Sequence, residues 1–105
     1  MMETKRVRVC AIDELPPGAR QVIAMGNHEE VLVLNVGGTI YALSNICPHE
    51  GAALERGMTK NGVLFCPLHR WGFVLVSGAC LQDVALCART YGVEINDDQL
   101  FLCLP

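Results

Sequence analysis

The sequence has no apolar run long enough for a membrane helix. Val31–Val36 is interrupted by Asn35, whereas a span needs roughly 18 or more apolar residues. The start, Met1-Met2-Glu3-Thr4-Lys5-Arg6, lacks the apolar stretch of a secretory signal, so a soluble, cytoplasmic protein without membrane association is expected. Nor is there an excess of basic charge. The 8 basic and 11 acidic residues give a formal charge of −3, which argues against nucleic-acid binding, since that function ordinarily shows a basic patch or stripe. Lys5, Arg6 and Arg8 read as a solvated chain end. No helical period is sustained, no segment repeats and no stretch is of low complexity. With 105 residues there is no room for two independent cores.

What is present is a series of short β-type segments broken by Gly, Pro and Asn-Asp turns. Val7–Val9 and Gln21–Met25 predict the first two strands, separated by a Pro-Pro-Gly loop over 13–18 with room for one helical turn. Asn27 and His28 lie in the next turn, where His28 is expected to be exposed. Val31–Val36 and Thr39–Leu43, joined by Gly37-Gly38, give the clearest hairpin. Residues 44–62 read as loop, Val63–Phe65 as a short strand ending at Cys66, and Trp71–Val76 as another strand turning at Ser77-Gly78. The chain closes on a second hairpin, Thr90–Ile95 and Gln99–Leu104, around Asn96-Asp97-Asp98. The expectation is one all-β domain: an antiparallel sandwich or barrel-like base (about 1–43 and 81–105) with a loop-rich lobe (about 44–80) inserted between its halves.

Six cysteines in a small secreted chain would suggest a disulfide framework. In a reducing cytoplasm metal binding is the better reading, and the spacing selects two of the six. Cys47-Pro48-His49 and Cys66-Pro67-Leu68-His69 form two cysteine–histidine pairs, sixteen residues apart. Each cysteine is followed by a proline, which fixes φ and stiffens its loop. Two thiolates and two imidazoles suit zinc or an iron–sulfur cluster. A structural zinc site commonly takes two cysteines from one pair and two histidines from the other. Here each pair mixes the two types, as a two-iron rhomb requires when each loop gives one cysteine to one iron and one histidine to the other. Replacement of two cysteines by two histidines on one iron defines Rieske centres.

The chain resembles the Rieske family in this Cys-x-His…Cys-x-x-His signature. It also resembles it in Tyr41–Asn45 before the first pair, Gly51–Leu54 after it, Trp71 and Phe73 after the second, and the terminal Thr90–Val93 strand. The resemblance implies one [2Fe–2S] cluster, with Cys47 and Cys66 on the buried iron and His49 and His69 holding the outer iron through Nδ1 near an exposed tip. It further implies Pro67 and Leu68 as an apolar cap, and Trp71 as packing beneath the cluster rather than an electron relay. Glu50, Glu55, Arg56 and Arg70 would surround the tip. The remaining cysteines, Cys10, Cys80, Cys87 and Cys103, read as small core residues.

Membrane-bound relatives in bc complexes carry a disulfide between the two loops, at positions that here are Ala52 and Leu68. They also place hydroxyls against the cluster sulfurs where this chain has Trp71 and Phe73. Loss of those hydrogen bonds lowers the potential, so a value near the low end of the Rieske range, roughly −150 mV, is expected. The resemblance is therefore to the soluble, low-potential branch. It implies a non-catalytic ferredoxin that takes single electrons from a flavin-dependent reductase and delivers them to a terminal, ring-hydroxylating oxygenase. Two other readings stay open: a small subunit held on the large subunit of an assimilatory nitrite reductase, and a zinc-stabilised interaction module. Arg70 and Val74 depart from the family, which often has glycine and aspartate there. No nucleophile with a poised base and oxyanion hole is legible.

Overall fold

The computed structural model describes residues 5–26, 28–49 and 51–104. Among these residues nine strands, all paired antiparallel, form two sheets. The larger has β1 (Lys5–Ala11), β2 (Arg20–Gly26), β3 (Glu29–Val36), β4 (Thr39–Ser44), β8 (Thr90–Asn96) and β9 (Gln99–Leu104), in the order β1-β9-β8-β4-β3-β2. The smaller has β5 (Thr59–Lys60), β6 (Val63–Phe65) and β7 (Gly72–Val74) in chain order. Among the described residues, two single 3₁₀ turns, Ile12–Glu14 and Leu54–Arg56, are the helical content. The large sheet curls into a nearly closed barrel, as expected of the all-β class. Among the described residues no helix is long and apolar enough to cross a membrane.

The apolar run of β3 is the reason for this arrangement. Val31, Leu32, Val33 and Leu34 are all fully buried, so both faces of the strand are covered. A strand buried on both faces reads as a continuous hydrophobic run rather than an alternation. Val31 and Val33 point into the barrel with Val9, Ala42, Leu100 and Leu102. Leu32 and Leu34 point the other way, onto Leu43, Leu54, Leu64 and Phe73. Each such side chain contributes about 1.5–3 kcal/mol of burial, which clamps the small sheet to the outside of the barrel wall. Asn35, which interrupts the run, is also buried and satisfied: Nδ2 donates to Leu15 O (2.8 Å) and Oδ1 accepts from Gly38 N (2.8 Å). It thereby fixes the Gly37-Gly38 turn, where both residues have positive φ.

Two sequence readings need correction. Residues 44–62 are not all loop, because Thr59–Lys60 pairs with Val63–Leu64. Asn61 and Gly62 between them have φ of 52° and 78°, the two-residue turn that favours Asn-Gly. The strand expected over Trp71–Val76 is also shorter. It spans Gly72–Val74, since Gly78 N donates to Val74 O (2.6 Å) and turns the chain there, while Trp71 is held in the preceding loop. The expected turn at Asn27 falls partly outside the described residues; His28 is exposed, with φ of 62°.

Candidate metal centre

The two cysteine–histidine segments fold as twin loops. Ile46 bridges Ala53 and Phe65 pairs with Gly72, so each pair of residues brackets six: Cys47–Ala52 in one loop, Cys66–Trp71 in the other. The internal bonding is the same in both. Cys47 N donates to Ala52 O (2.9 Å) and Gly51 N to Cys47 O (2.8 Å). Cys66 N donates to Trp71 O (2.8 Å) and Arg70 N to Cys66 O (2.8 Å). In each loop the residue four after the cysteine is left-handed, Gly51 at φ 75° and Arg70 at φ 58°. Reversal in so few residues requires that conformation, which glycine takes without steric cost. Arg70 is therefore a non-glycine residue at a glycine position, which accounts for its unusual appearance in the sequence.

A buried polar hub anchors the first loop. Asn45 is fully buried; its N–H donates to Glu30 O (2.9 Å), its carbonyl accepts from Leu54 N (2.7 Å), and Oδ1 accepts from Glu55 N (2.8 Å). Its Nδ2 donates to the carboxylates of Glu30 (2.9 Å) and Glu55 (3.4 Å). From β2, Arg20 donates to the carbonyls of Glu55 and Gly57, both at 2.7 Å. Gly57 in turn lies so close to the second loop's strand that a Cβ there would stand 1.9 Å from Phe65 O. Barrel, first loop and second loop are thus joined through backbone groups.

On this frame Cys47 and Cys66 are buried (1% exposed each), His49 is half-buried and His69 exposed. The thiols lie within the same apolar cluster as Leu64 and Phe73, while the imidazoles lie outward. The two rings have centroids 5.6 Å apart, tilted at 57°. A ligating nitrogen sits about 1.2 Å from its ring centre and about 2.1 Å from a first-row metal, so two rings on one tetrahedral ion stand roughly 5.4 Å apart. The imidazole pair therefore fits a shared metal, and His49 Nδ1 is shielded from solvent. Among the described residues no three His, Cys, Asp or Glu side chains enclose a single ion. A two-iron cluster asks less of any one centre, because each iron takes only two protein ligands. Inner thiolates and outer imidazoles form a donor set that fits such a cluster.

Other residues singled out in the sequence are placed variously. Trp71 packs against the core that contains Cys47 and Cys66, and its ring also stacks face to face on His49, with centroids 3.6 Å apart and planes at 8°. Phe73 is fully buried in the same core. Pro67 is exposed and Leu68 is 55% exposed. Ala52 and Leu68 line the same depression. Of the remaining cysteines, Cys10 and Cys80 are buried, but Cys103 is only half-buried and Cys87 is exposed. Burial, and next the charge of Glu14, pushes the Cys10 thiol up. Glu55, Arg56 and Arg70 are exposed, and Glu50 lies outside the described residues. Sequence reading missed Asn45 and Arg20 as anchors. It also missed the equivalence of Gly51 and Arg70, which the matched offset from each cysteine contains.

A small antiparallel barrel bearing one cysteine and one histidine on each of two matched loops defines the class, a β protein whose paired loops carry candidate metal donors. Residues 5–95 match the Rieske [2Fe-2S] domain, and the chain belongs to that family. Membership implies a [2Fe–2S] cluster. The ferredoxin component of the alkene monooxygenase system of Xanthobacter autotrophicus is 32% identical over 97 residues, 91% of this chain and 79% of that protein. The ferredoxin of carbazole 1,9a-dioxygenase from Nocardioides aromaticivorans IC177 superposes with a TM-score of 0.81 at 31% identity, covering 92% of this chain and 95% of the other. A Mycobacterium tuberculosis chain assigned as an NADH-dependent nitrite reductase small subunit shares the fold, with a TM-score of 0.87 at 22% identity over 99% of this chain and 98% of the other.

Proposed function

We propose that this protein is a one-electron carrier of the ferredoxin type. Cys47, His49, Cys66 and His69 hold its [2Fe–2S] cluster in a lobe over residues 44–80, set on the rest of a single domain. The observation that carries the reading is the asymmetry of the donor set: buried thiols and outward imidazoles put the histidine side where a partner can approach. Bound there, the cluster supplies reversible one-electron chemistry. The chain's own residues do the rest. Cys47 and Cys66 are shielded from water by Leu64 and Phe73, Trp71 holds the ring plane of His49, and exposed His69 shortens the path to a partner's cofactor.

The relatives at 31–32% identity are ferredoxins of oxygenase systems, which supports delivery from a flavin-dependent reductase to a terminal oxygenase in the cytoplasm. The nitrite reductase small-subunit reading draws on the likeness of fold. Coulometric reduction of the purified holoprotein tests the carrier reading. One electron taken up and returned per chain, by a protein that stays monomeric at micromolar concentration, is the expected result. Uptake of no electron, or two, contradicts it; permanent association with a large flavin- and haem-containing subunit supports the nitrite reductase reading instead.

A further inference from the structure

The sequence carries six arginines, and four are engaged within the fold. Arg6 pairs with Glu94 (2.9 Å), Arg8 donates to Gln99 (2.7 Å), Arg20 bonds two carbonyls, and Arg89 lies over the Tyr91 ring at 5.0 Å. Among the described residues the guanidiniums of Arg56 and Arg70 have no hydrogen-bond or ion-pair partner, and these two line one groove. It consists of two depressions of about 380 and 320 Å³ that share Arg56 and Pro67 as a common wall. Cys66 lines one of them and exposed His69 adjoins Arg70. Its apolar lining includes Pro67, Leu68 at 55% exposure and Met58 at 74%. Glu55 also borders the groove, but its carboxylate accepts from Asn45. Arg70 is held there at a left-handed φ that a glycine would adopt more easily.

We propose that the groove is the docking surface for a redox-partner protein that presents carboxylates around an apolar side chain, with Arg56 and Arg70 as the recognising cations. The inference rests on the electron-carrier reading and adds the chemistry of the partner. Complementary charge at such a surface sets association rate and orientation more than affinity, and a guanidinium grips a carboxylate by two parallel hydrogen bonds. The assignment runs against the protein's overall charge of −3, which by itself favours a basic partner. At about 0.1 M salt the screening length is about 10 Å, short beside a molecule 38 Å long, so the local arginines govern the encounter.

The test uses two forms of one acceptor: native cytochrome c, which is basic, and succinylated cytochrome c, whose lysines carry carboxylates. Dithionite-reduced holoprotein, freed of excess reductant, is mixed with each at about 0.1 M salt. One electron passes per encounter, reducing ferric haem and reoxidising the carrier. The wild type should reduce the succinylated form faster than the native one. In R56Q/R70G the succinylated reaction should slow about tenfold while the native reaction speeds up. R56K/R70K should recover the rate with the succinylated form, and all variants should keep the wild-type absorption spectrum. Preference for native cytochrome c, or a ratio that the double variant leaves unchanged, overturns the docking assignment while leaving the carrier reading intact. Reduction of neither acceptor overturns both.

Discussion

Replacing Arg70 by glycine should make the protein more stable. At φ 58° a side chain's Cβ crowds the adjoining carbonyl, at a penalty of about 1–2 kcal/mol. Glycine removes that penalty but loses about 0.5–1 kcal/mol through the greater freedom of its unfolded chain. Nothing else offsets the gain, since the guanidinium has no partner among the described residues and the Arg70 N–H bond to Cys66 O belongs to the backbone. The net expectation is about 0.5–1 kcal/mol, or a rise in Tm of roughly 2–8 °C for a domain of this size. Paired melts of wild type and R70G at matched cluster content measure it. Gly51→Ala, at the equivalent place in the twin loop, should lose about 1 kcal/mol. If R70G melts at or below the wild type, the equivalence of the two loops is wrong. The same substitution should slow reaction with acidic acceptors, so stability and docking pull this position in opposite directions.

Asn45→Ala leaves the part-buried Glu55 N–H without its acceptor and removes the donor shared by two carboxylates, and should cost about 1–2 kcal/mol in urea denaturation. Gly57→Ala, whose Cβ would meet Phe65 O at 1.9 Å, should force the two loops apart at a loss of about 3 kcal/mol or more and lower cluster content at purification. Trp71→Ala removes the stack on His49, worth about 1 kcal/mol, and should speed cluster loss to a chelator about fivefold; Trp71→Phe should restore most of the difference. Because the Cys10 thiol is raised from the ordinary 9.0, the unfolded chain ionises there first. Stability is unaffected by this group below pH 9 and falls as pH rises beyond it, a decline that Cys10→Ala should lessen in denaturation curves run across pH 8–10.

Two hairpins of the barrel were legible because they announce themselves: Gly37-Gly38 and Asp97-Asp98 sit between β-branched or alternating runs. The candidate donors Cys47, His49, Cys66 and His69 stood out in the sequence because a mixed cysteine–histidine pair, twice over, has few other uses. What the sequence did not disclose depends on contacts between segments far apart along the chain. Asn45 looks like a loop residue until Glu30 and Leu54 close around it. Trp71 counts as a strand residue by pattern, yet Cys66 captures its carbonyl and turns the ring onto His49. The Asn61-Gly62 hairpin carried a local signal that the surrounding glycines obscured. Cys87 reads as apolar by type and lies at the surface because its bridge partner Ala79 is itself exposed.

The central claim is that inner thiolates and outer imidazoles together hold one two-iron cluster. It is tested most directly by the low-temperature EPR spectrum of the purified protein before and after dithionite, together with a redox titration. The account predicts a red-brown protein, silent when oxidised, that on reduction gains a signal with lower average g than all-cysteine clusters show. It also predicts a midpoint near the low end of the Rieske range, roughly −150 mV, since Trp71 and Phe73 offer the sulfurs no hydroxyl. A colourless protein with one zinc per chain after growth in ample iron would contradict it.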